Sequence, residues 1–125
     1  MLFTGYLDRK QLAWAYRHSD AFVFSSKTET QGLALVEAMM CGTPAVAVEA
    51  MGTEDILAQD RGGFLVAEDA SAFAAKAVLL LRDAGLRRVK GAAARAHAEE
   101  WTIGRTTDRL LDVYKRAISR RNRPP

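Results

Sequence analysis

The sequence predicts an α/β fold in which helices flank a parallel sheet. Short apolar segments at residues 2–6, 21–24, 45–48 and 64–66 have the length and composition of strands. Segments with helical periodicity separate them, and this alternation requires crossover connections and therefore parallel strands. The length of 125 residues is sufficient for one domain with its own hydrophobic core.

The first two predicted strands are joined by a helix. Residues 2–6 are mostly apolar and predict a short strand that ends near a glycine. Asp8 is placed to cap a helix from about Arg9 to His18. Residues 21–24 are apolar without interruption, which indicates a strand that is covered on both faces.

A polar loop and an apolar helix follow the second strand. The loop covers residues 25–31, and residues 32–41 contain Glu37 as their single charge. Gly42 and Pro44 are the glycine and proline that commonly follow the C-terminus of a helix. This region therefore predicts a strand–loop–helix–strand unit of a parallel sheet.

The second half of the chain is predicted to contain more helix than strand. A short helix from Glu54 to about Gln59 is expected, with Thr53 as its cap. Asp69 or Ser71 is expected to cap the helix that follows the last strand. Three longer helices are predicted at about residues 70–82, 86–99 and 104–119, with Gly85 as an interruption between the first two.

Positive charge is concentrated at the C-terminal end. Residues 1–80 contain 6 Lys/Arg and 10 Asp/Glu, a net charge of −4, whereas residues 81–125 contain 12 and 5, a net charge of +7. The terminal helix at 102–121 and the basic tail at 120–125 carry much of this charge. Such an end can contact an anionic membrane or form a solvated face beside an acidic partner. No aromatic residues are interleaved with the arginines, so we expect no nucleic-acid partner.

The single cysteine, Cys41, indicates a reducing compartment because it cannot form an internal disulfide. The longest apolar run, residues 77–81, is too short to span a bilayer. We therefore expect a cytoplasmic protein, and the basic C-terminal end leaves peripheral contact with a membrane open.

The junction between the polar loop and its helix has features of a ligand site. The first amides of a helix have no intrahelical partner and attract anions. Gly32 lacks a Cβ, so a ligand can approach its backbone closely. Glu37 lies about one turn deeper than Leu33 on the same helix face. A carboxylate buried on so apolar a helix needs hydrogen-bond donors, which sugar hydroxyls or protein groups could supply. The alternative is a partly exposed glutamate with no ligand.

Several common functional motifs do not occur in the sequence. There is no G-x-G-x-x-G and no G-x-x-x-x-G-K-[ST], which are the fingerprints of dinucleotide and P-loop nucleotide binding. No Asp-x-Asp occurs, and neither His18 nor His97 has a second ligand at metal-binding spacing. We therefore expect no metal site.

A family resemblance is carried by residues 28–44, which read T-E-T-Q-G-L-A-L-V-E-A-M-M-C-G-T-P and place Glu29 and Glu37 eight positions apart. This segment resembles the E-x7-E region of retaining GT-B glycosyltransferases of the glycosyl transferases group 1 (family 4) class. Phe3-Thr4-Gly5 before it and Gly62-Gly63-Phe64 after it are similar to neighbouring segments of the same family. The resemblance covers about residues 3–101.

The resemblance implies a fold, a reaction and a set of site residues. The chain would be part of the C-terminal, Rossmann-like donor-binding domain of a GT-B fold. Glu29 would be the catalytic-site residue that meets the donor sugar, and Glu37 would bind the ribose hydroxyls. The amides near Gln31, Gly32 and Leu33 would hold the sugar and the diphosphate. The family transfers a hexosyl unit with retention and uses a nucleotide sugar as its substrate, with no metal or other cofactor.

The chain departs from the family pattern in its extent. The family has two Rossmann-like domains, and this sequence resembles only the later part of the second one. We therefore expect an incomplete and inactive transferase that lacks the acceptor-binding domain or needs a partner chain. The alternative is a non-catalytic Rossmann-like interaction module, or one subunit of a split glycosyltransferase. In that case we expect the apolar stripe of the last helix to dock on another protein; the stripe contains Leu110, Leu111, Tyr114 and Ile118.

Overall fold

Three parallel strands form the sheet of this protein, seen in a computed structural model that describes residues 1–121 except the side chain of Asp60. The order is β1-β2-β3, so the middle strand is also the middle one in sequence. The strands are β1 (Phe22–Phe24), β2 (Ala45–Val48) and β3 (Gly63–Val66). The end of the predicted basic tail, residues 122–125, lies outside the described residues.

Helices occupy most of the remaining chain. Short 3-10 helices follow α3 at Ala58–Asp60 and α5 at Glu99–Trp101. Within residues 1–121, no helix is long and apolar enough to cross a bilayer. The α-helices are α1 (Arg9–Arg17), α2 (Leu33–Met40), α3 (Met51–Leu57), α4 (Ala70–Arg82), α5 (Ala84–Ala98) and α6 (Ile103–Arg121).

The hydrophobic core lies on both faces of the sheet. On one face, residues of α2, α3 and α5 pack against β2, and Leu35, Ile56 and Ala94 are fully or almost fully buried there. On the other face, α4 packs against β2 and β3 through Leu80 and Phe73. Helices on both faces of a parallel sheet are the Rossmann-like α/β arrangement. The predicted fold class is therefore confirmed.

The strand predicted at residues 2–6 is wrong. This segment has no regular secondary structure, and Leu2 and Tyr6 are 86% and 97% exposed. A short strand is stable only when a neighbour accepts and donates its backbone hydrogen bonds. Among the described residues, β1 pairs only with β2, and no strand lies beside residues 2–6. The sheet therefore has three strands where the sequence predicted four.

The prediction that β1 is covered on both faces is also wrong. Phe22 and Phe24 are half-buried against the core shared with α2, but Val23 points to the opposite face and is 53% exposed. The helix on that face, α4, packs against β2 and β3. One face of β1 is therefore open to solvent.

The helix after β2 begins earlier than predicted, at Met51, with Ala50 as its N-cap. Thr53 lies inside this helix and is fully buried. Its hydroxyl donates to the carbonyl of Val48 at 2.7 Å and accepts from the amide of Ala50 at 3.0 Å. Thr53 therefore ties the end of β2 to the start of α3, rather than capping a helix that begins after it.

Most of the other predicted helix boundaries agree with the structure. Asp69 caps α4 by accepting from the amide of Ala72 at 2.6 Å. Gly42, with φ of 82°, follows the C-terminus of α2 as a left-handed glycine. Gly85 does not interrupt a helix, because Asp83 caps α5 from Ala84 onward and Gly85 lies in its first turn.

Candidate functional site

The loop at residues 25–32 lies at the carboxyl end of β1, where parallel sheets commonly bind ligands. Glu29 organises this loop through its own side chain. Its Oε1 atom accepts hydrogen bonds from the amides of Gln31 and Gly32, each at 3.0 Å. Two of the three residues whose amides were expected to face a ligand therefore already donate to Glu29.

These hydrogen bonds favour the ionised form of Glu29. The amide of Gln31, followed by that of Gly32, holds the pKa of the Glu29 carboxyl below its ordinary value of 4.5. The side chain is therefore a carboxylate at neutral pH. Its Oε1 atom is engaged with the loop amides.

Two glycines allow the loop to pack tightly against α3. Gly32 is buried with φ of 62°, and a Cβ there would collide with Ile56 and with the carbonyl of Gly52. A Cβ on Gly52 would lie 2.7 Å from the carbonyl oxygen of Glu29. The sequence suggested that Gly32 lets a ligand approach. In the structure, the space beside it is occupied by α3.

The N-terminus of α2 has no side-chain cap, because its N-cap residue is Gly32. The first helical residue, Leu33, is 61% exposed. The first amides of a helix carry partial positive charge and have no intrahelical acceptor. The start of α2 can therefore accept an anion at the amides of residues 33–35, before the amide of Val36, which donates to the carbonyl of Gly32.

An open crevice lies beside Glu37, between α1 and α2. Its volume is about 360 Å³, and Glu37 is exposed at its wall. The hydroxyl of Thr43 donates to the carbonyl of Tyr16 at 2.5 Å, which links the end of α1 to the turn after α2. The lining residues are Arg9, Leu12, Ala13, Tyr16, Glu37, Met40 and Cys41.

The environment of the crevice changes the pKa of Tyr16, which lines it. Burial raises the pKa of the Tyr16 phenol above its ordinary value of 10.0, and the negative charge of Glu37 raises it further. The phenol therefore remains a neutral hydroxyl at physiological pH. It can donate or accept a hydrogen bond within the crevice.

Among the residues that line the crevice, Glu37 alone was predicted from the sequence as a site residue. Arg9 brings a cation to the same opening as Glu37, and Cys41 brings a thiol. Helical spacing could have indicated Arg9. It lies three residues before Leu12 and seven before Tyr16, so it shares the helix face of these two residues, which were expected to face inward. The sequence did not indicate that this face of α1 would lie opposite Glu37.

Of the described residues, the other candidates neither hydrogen-bond to Glu29 nor line the crevice beside Glu37. Lys27, the one cation in the predicted loop, pairs with Glu68 at 2.6 Å, and both side chains are exposed. His18 stacks on Trp14 with ring centroids 4.3 Å apart, and His97 is buried near Glu100. In the part of the chain that the structure describes, no three His, Cys, Asp or Glu side chains are grouped to hold a metal ion.

Comparison with known proteins identifies the family. The family model described as "Glycosyl transferases group 1" matches residues 1–97. The chain is 37% identical over 94% of its length to the sulfoquinovosyl transferase SQD2 of Arabidopsis thaliana. It is 36% identical over 92% of its length to a D-inositol 3-phosphate glycosyltransferase of Xylanimonas cellulosilytica, and 38% identical over 93% to a D-inositol 3-phosphate glycosyltransferase 2 of Catenulispora acidiphila. It spans 24%, 28% and 27% of these three relatives, respectively. The chain belongs to the glycosyl transferases group 1 family.

Proposed function

We propose that this chain is the donor-binding part of a retaining GT-B glycosyltransferase, which transfers a hexosyl unit from a nucleotide sugar to an acceptor. One observation carries the proposal. The carboxylate of Glu37 is exposed in an open crevice along the same helix whose uncapped N-terminus follows the Glu29 loop. An anion site and an acceptor of hydroxyl hydrogen bonds therefore lie on one helix.

The diphosphate of the donor is proposed to lie at the N-terminus of α2. The amides of Gln31 and Gly32 are engaged with Glu29, and the amide of Val36 donates to the carbonyl of Gly32, so the amides of residues 33–35 are the ones proposed to meet the phosphate oxygens. The helix dipole favours negative charge at this position. Gln31 is exposed beside it and can contact the sugar–diphosphate linkage.

The ribose is proposed to lie beside Glu37. Four residues of helix separate Glu37 from Leu33, a rise of about 6 Å along the axis. A carboxylate is poorly suited to a phosphate, but it can accept hydrogen bonds from both hydroxyls of a vicinal diol. The crevice volume of about 360 Å³ is within the usual range of small-molecule pockets.

Glu29 is proposed to position the donor sugar. One carboxylate oxygen accepts from the loop amides of Gln31 and Gly32, and a sugar hydroxyl is proposed to donate to the same carboxylate. Transfer would then depend on the orientation of the sugar and on stabilisation of the departing diphosphate. The proposal requires no metal or cofactor, and it places the remaining cations and the acceptor site on protein that this chain does not include.

The relatives support glycosyl transfer without specifying the substrates of this chain. One is named for sulfoquinovosyl transfer, and others are named for D-inositol 3-phosphate. Their names therefore agree on the reaction class and differ in the molecules. A cytoplasmic location is part of the proposal and is supported by the single cysteine, Cys41.

A second candidate function is a non-catalytic interaction module or a subunit of a split transferase. The open edge of β1 and the exposed Val23 favour it, because such a surface can pair with another chain. Size-exclusion chromatography of the chain tests this candidate. Concentration-dependent association is expected, and a monomer at all concentrations would contradict it.

Isothermal titration of UDP and GDP into the chain tests the proposed donor site. Wild type is expected to bind one of them, and Glu37→Ala is expected to lower the affinity about tenfold or more, because a charged acceptor of ligand hydrogen bonds is lost. Glu99→Ala removes an exposed carboxylate elsewhere and should leave binding unchanged. Equal affinity of wild type and Glu37→Ala would contradict the role of Glu37. An absence of heat with wild type would contradict donor binding by this chain.

A further inference from the structure

The loop at residues 25–32 is held unequally along its length. Its second half is fixed by Glu29, whose carboxylate accepts hydrogen bonds from two amides of the same loop. Its first half, residues 25–28, has no regular secondary structure. Among the described residues, the ion pair between Lys27 and Glu68 is the one hydrogen bond or ion pair that joins residues 25–28 to another part of the chain. The position of this first half therefore depends on a single pair of side chains.

The Lys27–Glu68 pair spans the middle strand of the sheet. Lys27 follows β1 and Glu68 follows β3, and both of these strands pair with β2. Neighbouring strands lie about 4.8 Å apart, so the ends of β1 and β3 are about 10 Å apart. Nζ of Lys27 nevertheless donates to Oε1 of Glu68 at 2.6 Å. The two side chains therefore bridge the edge of the sheet across the end of β2.

Packing does not replace this bridge. A cavity of about 480 Å³ lies between the start of the loop and the start of α4, and both members of the pair line it. Val48, the last residue of β2, and Phe73 of α4 also line this cavity. Side chains of the first half of the loop leave this space unfilled. The ion pair, and not a packed interface, therefore connects the loop to this side of the sheet.

Glu68 is the anchored member of the pair. It lies in the short turn between β3 and α4, where the amide of Glu49 donates to the carbonyl of Val66 at 2.8 Å. Asp69, the next residue, caps α4 and also lines the cavity, so its negative charge adds to the attraction for the ammonium of Lys27. Lys27 extends from the half of the loop that is otherwise not held. The pair therefore transmits the position of the β3–α4 turn to the loop.

We propose that Lys27 is a positioning residue, which through its ion pair with Glu68 sets the path of the loop into Glu29 and so directs the Glu29 carboxylate towards the donor sugar. This inference rests on the proposed function, which assigns the donor sugar to Glu29. The two side chains are 59% and 71% exposed, so the pair favours the closed loop by a modest factor, about two- to fivefold. The pair opens and recloses, and a bound sugar shifts this equilibrium towards the closed loop.

NMR relaxation of the backbone amides, measured on the full chain without ligand, tests whether the pair holds the loop. Lys27→Met and Glu68→Gln each remove one charge and should lower the order parameters of residues 26–28. Residues 29–32 should keep their wild-type values, because Glu29 holds them. Unchanged order parameters in both variants would overturn the proposal.

Charge reversal tests the pairing itself. Lys27→Glu places a carboxylate opposite Glu68 and should lower the order of residues 26–28 further. The double variant Lys27→Glu with Glu68→Lys reforms the pair with opposite polarity and should recover this order. A double variant that stays as mobile as Lys27→Glu alone would overturn the proposal. Added salt should lower the order in wild type but not in Lys27→Met, because it screens the pair.

Calorimetric titration tests the effect on sugar binding. The ligands are UDP and GDP and the nucleotide sugars UDP-glucose and GDP-mannose. Lys27→Met and Glu68→Gln should weaken binding of the nucleotide sugar about two- to fivefold. Both should leave the affinity for the matching nucleoside diphosphate unchanged, because the diphosphate and the ribose are proposed to lie at α2. Equal weakening for the two kinds of ligand, or none for either, would overturn the proposal.

Matched controls remove the same charges elsewhere on the surface. Lys115→Met and Glu99→Gln lie at exposed positions outside the loop and the β3–α4 turn, and both should behave like wild type. An effect of Lys115→Met as large as that of Lys27→Met would overturn the proposal, because the effect would then follow net charge. If wild type binds none of the four ligands, the proposed function is contradicted, and the relaxation data still decide whether the pair holds the loop.

Discussion

The backbone carbonyl of Glu29 accepts a hydrogen bond from the amide of Gly52 at 3.1 Å. This bond joins the loop after β1 to the first turn of α3, the helix that follows β2. Because the same loop is held from within by the carboxylate of Glu29, its backbone is fixed from both sides. The conformation of the proposed donor loop therefore depends on residues of the next βα unit.

Gly52→Ala is expected to displace this loop. The new Cβ would lie 2.7–2.9 Å from backbone atoms of residues 29–31, which cannot move as freely as a side chain. We expect a loss of about 1–3 kcal/mol in the free energy of unfolding, as is typical of overpacking, together with weaker nucleotide binding. Urea denaturation and calorimetric titration measure the two effects.

Gly104→Ala is the control for that substitution. Gly104 lies in the first turn of α6, and a Cβ there meets no atom within 4 Å. Its replacement should keep or raise stability by about 0.5–1 kcal/mol, because alanine favours the helix. If both variants have the stability and nucleotide affinity of wild type, the tight contact at Gly52 does not constrain the loop.

Thr53→Val should destabilise the fold although valine has nearly the same shape. The substitution leaves the buried carbonyl of Val48 and the amide of Ala50 without their hydroxyl partner. We expect a loss of about 1–3 kcal/mol in the free energy of unfolding, and a smaller loss for Thr53→Ser, which keeps the hydroxyl. Urea denaturation of both variants checks the difference. A larger loss for Thr53→Ser than for Thr53→Val would assign the role of Thr53 to its methyl group and contradict this prediction.

The carboxyl of Glu29 should titrate below pH 4.5 in the folded chain, because amide hydrogen bonds lower its pKa. Since the unfolded pKa is the higher one, these bonds contribute stability above pH 4.5, and the contribution is lost as the pH falls through the folded pKa. NMR titration of the side-chain carboxyl carbon measures the midpoint, with Glu29→Gln to assign the signal. A midpoint at or above 4.5 would show that the loop is open in solution.

Tyr16 should ionise above pH 10.0, because burial and the nearby Glu37 carboxylate raise the pKa of its phenol. The folded pKa is the higher one, so the unfolded chain loses the Tyr16 proton first as the pH rises. The free energy of unfolding should therefore be unaffected by Tyr16 below pH 10.0 and should fall as the pH rises towards the folded pKa. Ultraviolet titration should show a late transition that disappears in Tyr16→Phe. Glu37→Gln should shift this transition to lower pH. An unchanged midpoint in Glu37→Gln would place the carboxylate outside the crevice.

The predictions from sequence were correct where the residues of a single segment are sufficient to determine its structure. The limits of β2 and the glycine after α2 follow from a short apolar run and from a residue that tolerates positive φ. Residues 2–6 and Val23 failed for a shared reason. Their apolar composition is that of a covered strand, but pairing and coverage depend on neighbours that a segment does not encode.

For the candidate site too, the sequence predicted what one segment contains and missed what depends on packing between segments. The eight-residue separation of Glu29 and Glu37 was visible in the sequence. The structure places Glu37 beside an open crevice, and its role in ligand binding stays a prediction. The placement of Arg9 in that crevice was not visible, because it depends on how α1 packs against α2.

By itself, the sequence determined the α/β class, the loop and helix that contain both glutamates, and the family to which the chain belongs, because periodicity, turn residues and motif spacing are local properties. Only the tertiary structure decided that Glu29 occupies the amides of Gln31 and Gly32, that Gly52 fixes the loop and that α6 exposes its apolar side. These features arise from contacts between segments distant in sequence, and their geometry follows from the packing of complete helices and strands.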